Sequence, residues 1–192
     1  MRRAAVIITA VLALSTGMSA ARRHDAVARF SARSVQMSSP MRLVFPRVDI
    51  AIFQWSTDMD HRTLAHAILE RGTMAFSHTL AGYPWAGSIA FADEEYAIRY
   101  AWRTSDRDGG QRIYLASDEP ILLLSRELRR FADTEPLFFV ELRLDARGEG
   151  VGKLSDAERL SVDQSRNVIE MRDWDRRPLN LVMVRDEARL VD

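Results

Sequence analysis

The chain has 192 residues with 27 basic and 27 acidic side chains, so its formal net charge at neutral pH is zero. That balance argues against nucleic acid as a main partner, because domains that bind it carry a clear basic excess. No cysteine is present, which excludes disulfides, thiolate metal sites and a lipid-anchored cysteine.

In chain order, residues 1 to 21 read as a signal peptide. Arg2 and Arg3 supply the basic start, Ala4 to Leu14 the uncharged apolar stretch, and Ser19-Ala20-Ala21 the small residues at which a signal peptidase cuts. The apolar stretch is shorter than the roughly 20 residues that span a bilayer, so no membrane span is expected after cleavage. Removing Arg2 and Arg3 leaves 25 basic against 27 acidic residues, near −2. The sequence therefore predicts an exported protein, periplasmic or extracellular.

Residues 22 to 40 read as a flexible basic linker. Arg22, Arg23, Arg29 and Arg33 stand among small residues, and Ser38-Ser39-Pro40 closes the stretch with turn formers. A solvated spacer accounts for such a run; contact with anionic lipid headgroups or another acidic surface is the functional alternative. A single domain is expected over residues 41 to 186, with a C-terminal tail at 187 to 192. About 150 residues suffice for one hydrophobic core.

Within the domain, Val48, Ile50 and Ile52 alternate with Asp49 and Ala51, the mark of a strand. Ser56, Thr57 and Asp58 offer N-caps for a helix running to about Glu70, with His61, Leu64, Ala65 and Ile68 on one face and Gly72 as its stop. A second short helix fits Met74 to Leu80. Tyr96, Ile98, Tyr100 and Trp102 alternate with polar or small residues and predict one strand with its aromatic side chains on a single face. Asp106 to Gly110 turns the chain into a hairpin partner at Gln111 to Ser117. Residues 120 to 131 fit a strand or a helix equally. Phe138 to Leu144 alternate again, and Gly148, Gly150 and Gly152 read as the turn that ends that strand. Leu160 and Val162 begin another, Asp163 to Asn167 reads as a hairpin loop with Asn167 at positive φ, and Val168 to Arg172 returns. A turn at Trp174 to Pro178 and a last strand at Leu179 to Arg185 complete the chain.

The result is an α+β fold: an antiparallel sheet of about seven strands, with two or three short helices on one face or end. A strongly curved sheet or small barrel is the variant that the glycine cluster suggests.

Four segments also look familiar together: Phe53-Gln54-Trp55-Ser56-Thr57, Ile98-Arg99-Tyr100-Ala101, Arg112 to Asp118, and Glu141 to Asp145 with Gly148, Gly150, Gly152, Lys153 and Leu154. Over roughly residues 47 to 186 the chain resembles an uncharacterised group of small bacterial exported proteins. The resemblance implies one intact domain; its motifs are strands and turns, and no activity comes with them.

Motifs for chemistry are weak. His61 and His66, five residues apart, lie about 140° apart on a helix, so they cannot share a metal as an i, i+4 pair does. His61 reads as a hydrogen-bonded histidine on the buried face and His66 as exposed. Gly148 to Lys153 fails as a phosphate loop, since Arg147 stands at the first glycine position and Leu154 at the Ser/Thr position. Asp145, Glu149 and Asp156 fail as a calcium loop because Arg147 sits among the ligands. Asp93-Glu94-Glu95 reads as a solvated turn rather than a catalytic pair, and no nucleophile elbow is present. The sequence thus assigns no catalytic residue, no metal ligand and no cofactor.

Aromatic residues remain. Tyr83, Trp85, Trp102 and Trp174 are the candidates for contact with a ligand or partner, Tyr83-Pro84-Trp85 because it falls in a loop. The function expected is a non-enzymatic exported envelope domain that binds a small apolar ligand or a protein partner. The alternative is an envelope hydrolase using acidic residues and a histidine brought together by the fold.

Overall fold

A computed structural model of the chain describes residues 26–35, 46–91, 94–119, 137–156, 160–171 and 179–190. The expected signal peptide, the whole 120–131 segment and Trp174 lie outside these residues. The elements are β1 (Ala28–Val35), β2 (Arg47–Ile52), α1 (Asp58–Arg71), α2 (Thr73–Ala81), β3 (Gly87–Phe91), β4 (Glu94–Ile98), β5 (Tyr100–Ser105), β6 (Gln111–Ser117), β7 (Phe138–Leu144), β8 (Glu149–Asp156), β9 (Leu160–Asp163), β10 (Val168–Met171) and β11 (Leu179–Asp186). Among the described residues no helix is long and apolar enough to cross a membrane.

Nine strands form one antiparallel sheet in the order β4-β3-β2-β1-β11-β8-β7-β6-β5, while β9 and β10 pair separately. The sheet is a nearly closed barrel. Its two edge strands, β4 and β5, are consecutive in the chain and separated only by Arg99, so the sheet must curl until its edges meet. Hydrogen bonds hold the chain on both sides of this junction: Arg99 N–H donates to the Ala116 carbonyl of β6 at 3.0 Å and Ala86 N–H to the Ile98 carbonyl of β4 at 2.7 Å. Ser56 brackets Ala101, its N–H donating to the Ala101 carbonyl and its Oγ accepting from the Ala101 N–H.

Two apolar clusters follow from this closure. Phe30, Ile50, Ile89, Tyr96, Phe138 and Leu181 belong to the cluster on the concave side. On the convex side, Leu64 and Ile68 of α1 and Phe76 and Leu80 of α2 pack with Tyr100, Tyr114 and Phe139, and the β9–β10 hairpin adds Leu160, Val168 and Ile169. Helices thus cover one face of one end of the sheet, the α+β arrangement expected.

Several expectations need correction. Residues 28–35, expected as linker, form β1 between β2 and β11. Phe30, Ala32 and Ser34 are buried there, while Arg29 and Arg33 take the alternate positions, Arg33 exposed. The expected turn at Gly150 and Gly152 is instead strand β8. A Cβ at Gly150 would run into the Arg143 carbonyl, and one at Gly152 would lie 2.6 Å from Leu142 Cδ2; these glycines let β8 lie close against β7. β3 went unread, and the single strand expected around Tyr96 to Trp102 is two. With β1 and β8 also unread, eleven strands are described where about seven were expected, nine in the main sheet and β9 and β10 apart. Tyr96 and Ile98 face the concave cluster while Tyr100 and Trp102 join the convex one. Arg99 is the extra residue, and a one-residue slip moves every following side chain to the other face. Finally, Glu187–Leu190 in the expected tail forms a short 3-10 helix, anchored by Arg189 Nη1 donating to the Ala146 carbonyl at 2.8 Å.

Candidate functional site

On the convex face, where α1 meets β5 and the β9–β10 hairpin, the side chains of His61, Tyr100, Trp102 and Asn167 meet. α1 begins with a capping box: Thr57 accepts from the Asp60 N–H, and the Asp60 carboxylate accepts from the Thr57 N–H. This fixes the helix start, and one turn later His61 points at the sheet, 1% exposed.

Both ring nitrogens of His61 are engaged. Nδ1 lies 2.8 Å from the Tyr100 hydroxyl and Nε2 3.2 Å from Asn167 Oδ1. An amide oxygen only accepts, so Nε2 carries the proton and Nδ1 accepts from the phenol. Burial lowers the His61 pKa, opposed by the hydrogen bond to Asn167. Burial also pushes the Tyr100 phenol well above its usual value, with Tyr114 adding to the effect. The network is therefore neutral: Tyr100 O–H to His61, His61 N–H to Asn167. Asn167 reaches this position at φ 51°, the left-handed conformation that its place in the hairpin loop suggested. The loop is held by Asp163, whose carboxylate accepts from Ser165 and Arg166; these bonds, the Ser165 hydroxyl first, hold it well below the usual carboxylate range.

Trp102 stacks on His61, ring centroids 4.3 Å apart and planes 11° from parallel. Its Nε1 is buried and has no hydrogen-bond acceptor among the described residues. From Trp102 a row crosses the sheet in register through Tyr114, Glu141, Lys153 and Asn180. Glu141 is buried and accepts from Arg143 Nε at 2.7 Å. Burial raises the Tyr114 pKa, and Glu141 raises it further.

No known protein family, characterised protein or solved structure matches this chain.

Of the four aromatic candidates, Trp102 stands in the site. Tyr83 packs against the same convex cluster, and its carbonyl accepts from Arg99 Nη1 at 2.7 Å. Trp85 is 41% exposed in the loop between α2 and β3, and Trp174 is outside the described residues. His66 is exposed beside Glu70, 3.3 Å away. Asp145 accepts the N–H groups of Arg147 and Glu149, which makes its segment a turn. Glu94, one of the paired acids considered, accepts from the Tyr96 hydroxyl. Among the described residues no three His, Asp or Glu side chains are grouped to hold a metal.

Sequence reasoning missed Tyr100, Asn167, Tyr114 and Glu141 as neighbours. His61 is 39 residues from Tyr100 and 106 from Asn167. Only the face switch at Arg99 turns Tyr100 and Trp102 toward the helix, and no local pattern signals it.

Proposed function

We propose that this chain is an exported, non-enzymatic domain of the cell envelope that holds a small, largely apolar ligand at Trp102, on the convex face. The carrying observation is the buried Trp102 N–H without an acceptor among the described residues. Leaving such a donor unmet costs about 1–3 kcal/mol. A ligand with an apolar or aromatic body and one carbonyl or hydroxyl oxygen would supply the acceptor. Tyr83, Trp102 and Val162, half-buried around the convex cluster, give the apolar surroundings that small-ligand sites favour.

The hydrolase reading draws less from this geometry. A general base needs a free lone pair aimed at its proton donor, and His61 spends both ring nitrogens on Tyr100 and Asn167. A protein partner is the second reading. It is favoured by Trp85, which stands out of a loop where recognition residues concentrate.

Native mass spectrometry on the chain purified gently from its own envelope fraction tests the proposal. The expected result is extra mass that disappears on denaturation, and its loss in Trp102→Phe, which keeps the stacked ring but removes the N–H. A clean unliganded mass for the wild type, or full retention by Trp102→Phe, overturns the reading. Loss of a co-purifying protein on Trp85→Ala would favour the second one.

A further inference from the structure

The face of α1 turned away from the sheet carries a pattern of its own. Met59, Arg62, Thr63, His66, Leu69 and Glu70 are all exposed, and at 3.6 residues per turn they lie within about 60° of His66. His61, Leu64, Ala65, Ala67 and Ile68 take the buried side, so the exposed six form one outward stripe along about three turns. Two of them are large and apolar: Met59 is 64% and Leu69 54% exposed. Met74, past the break at Gly72, is 63% exposed at the same end as Leu69.

Opposite charges stand at equal distances from the middle of this stripe. Arg62 precedes His66 by one turn and Glu70 follows it by one turn. Arg62 makes no ion pair among the described residues. One carboxylate oxygen of Glu70 lies 3.3 Å from His66 Nε2, and a carboxylate accepts from more than one donor. A parallel second helix would set Arg62 on Arg62. An antiparallel one, related by a two-fold axis at His66, brings Arg62 beside Glu70 of the partner subunit, and the symmetry repeats that pair. The same arrangement brings Thr63 beside the partner's Leu69 and Met59 toward the partner's Met74. It also sets the acidic first turn of one helix, with Asp58 and Asp60, beside the basic last turn of the other, which the helix dipoles favour.

We propose that the chain binds a second copy of itself through this stripe, the two α1 helices packing antiparallel about His66, with Arg62 and Glu70 fixing the register and Met59 and Leu69 losing their exposed surface. A lipid surface is a poor match, because the stripe has no basic excess. An unrelated protein gains nothing from charges balanced about one residue, whereas a two-fold axis requires them there. One helix from each copy is a small contact, of the size found in transient complexes, so the dimer is weak and grows with concentration. This inference is independent of the ligand at Trp102, which stacks on the buried side of α1.

Sedimentation equilibrium over a range of concentrations, on the chain as its host produces it, tests the proposal. Wild type should follow a monomer–dimer equilibrium. Arg62→Glu sets two acids against each other at both symmetric positions and should weaken dimerisation at least about tenfold. Glu70→Arg should do the same. Both positions are exposed, so each variant should keep the melting curve of the wild-type monomer. Combining Arg62→Glu with Glu70→Arg pairs opposite charges again in reverse order, and dimerisation should return close to the wild-type level. A wild type that stays monomeric at every concentration overturns the proposal. So does a dimer unmoved by Arg62→Glu, or a double variant that associates no better than the single ones, since either result places the contact on another surface.

Discussion

His61 shows what one buried residue asks of its surroundings. Its pKa is lowered by burial, so the folded protein resists protonating it while the unfolded chain takes a proton near the ordinary value of about 6.5. Below that value the unfolded state binds more protons, and stability falls as the pH falls until the folded-state pKa is reached. Urea unfolding at pH 8 and pH 5 should therefore show a loss toward acid that shrinks in His61→Gln. An unchanged slope in the variant would place the effect elsewhere. At neutral pH, His61→Ala should cost about 2–4 kcal/mol, since it opens a cavity and strands the Tyr100 hydroxyl. Combining it with Tyr100→Phe should cost less than the sum, because both changes break the same bond. That His61 would be buried and hydrogen-bonded was legible from its place on the apolar face of a helix. Its partners were not, because residues far apart in the chain meet only through the barrel.

Individual elements divide by how local their causes are. α1 was readable nearly to the residue: Thr57 and Gly72 mark its ends, and Leu64, Ala65 and Ile68 mark its face. β8 was not, because its glycines look like a turn until the close approach of β7 is known. Replacing Gly150 with Val should destabilise the protein by about 2–3 kcal/mol, since the strand must move off the Arg143 carbonyl; thermal melting compares the two. A neutral effect there would mean that β8 and β7 are not packed as described. The break between β4 and β5 was hidden for a similar reason. Arg99 carries no turn signal, and barrel closure sets its register while its own side chain bonds Asp118 and the Tyr83 carbonyl.

Across the whole molecule, the fold class was readable because hairpin-length connections force antiparallel pairing and the helical segments come early. Closure was not, because it depends on β1, a strand that reads as a basic linker, filling the place between β2 and β11. If that pairing holds the barrel, a chain ending at residue 178 should lose cooperative melting and bind a dye for exposed apolar surface; retained two-state melting would show that β11 and its pairing with β1 are dispensable. The same pairing governs when the barrel can exist at all. The first described strand and the last lie side by side, joined in register at Phe30 and Asp186, so the sheet cannot be completed until nearly the whole chain is present. Contacts this distant in sequence slow folding, toward milliseconds to seconds for β-rich domains. Until its final strand arrives, β1 and β8 each lack a neighbour, and the two halves of the barrel wall carry open edges where β11 will sit.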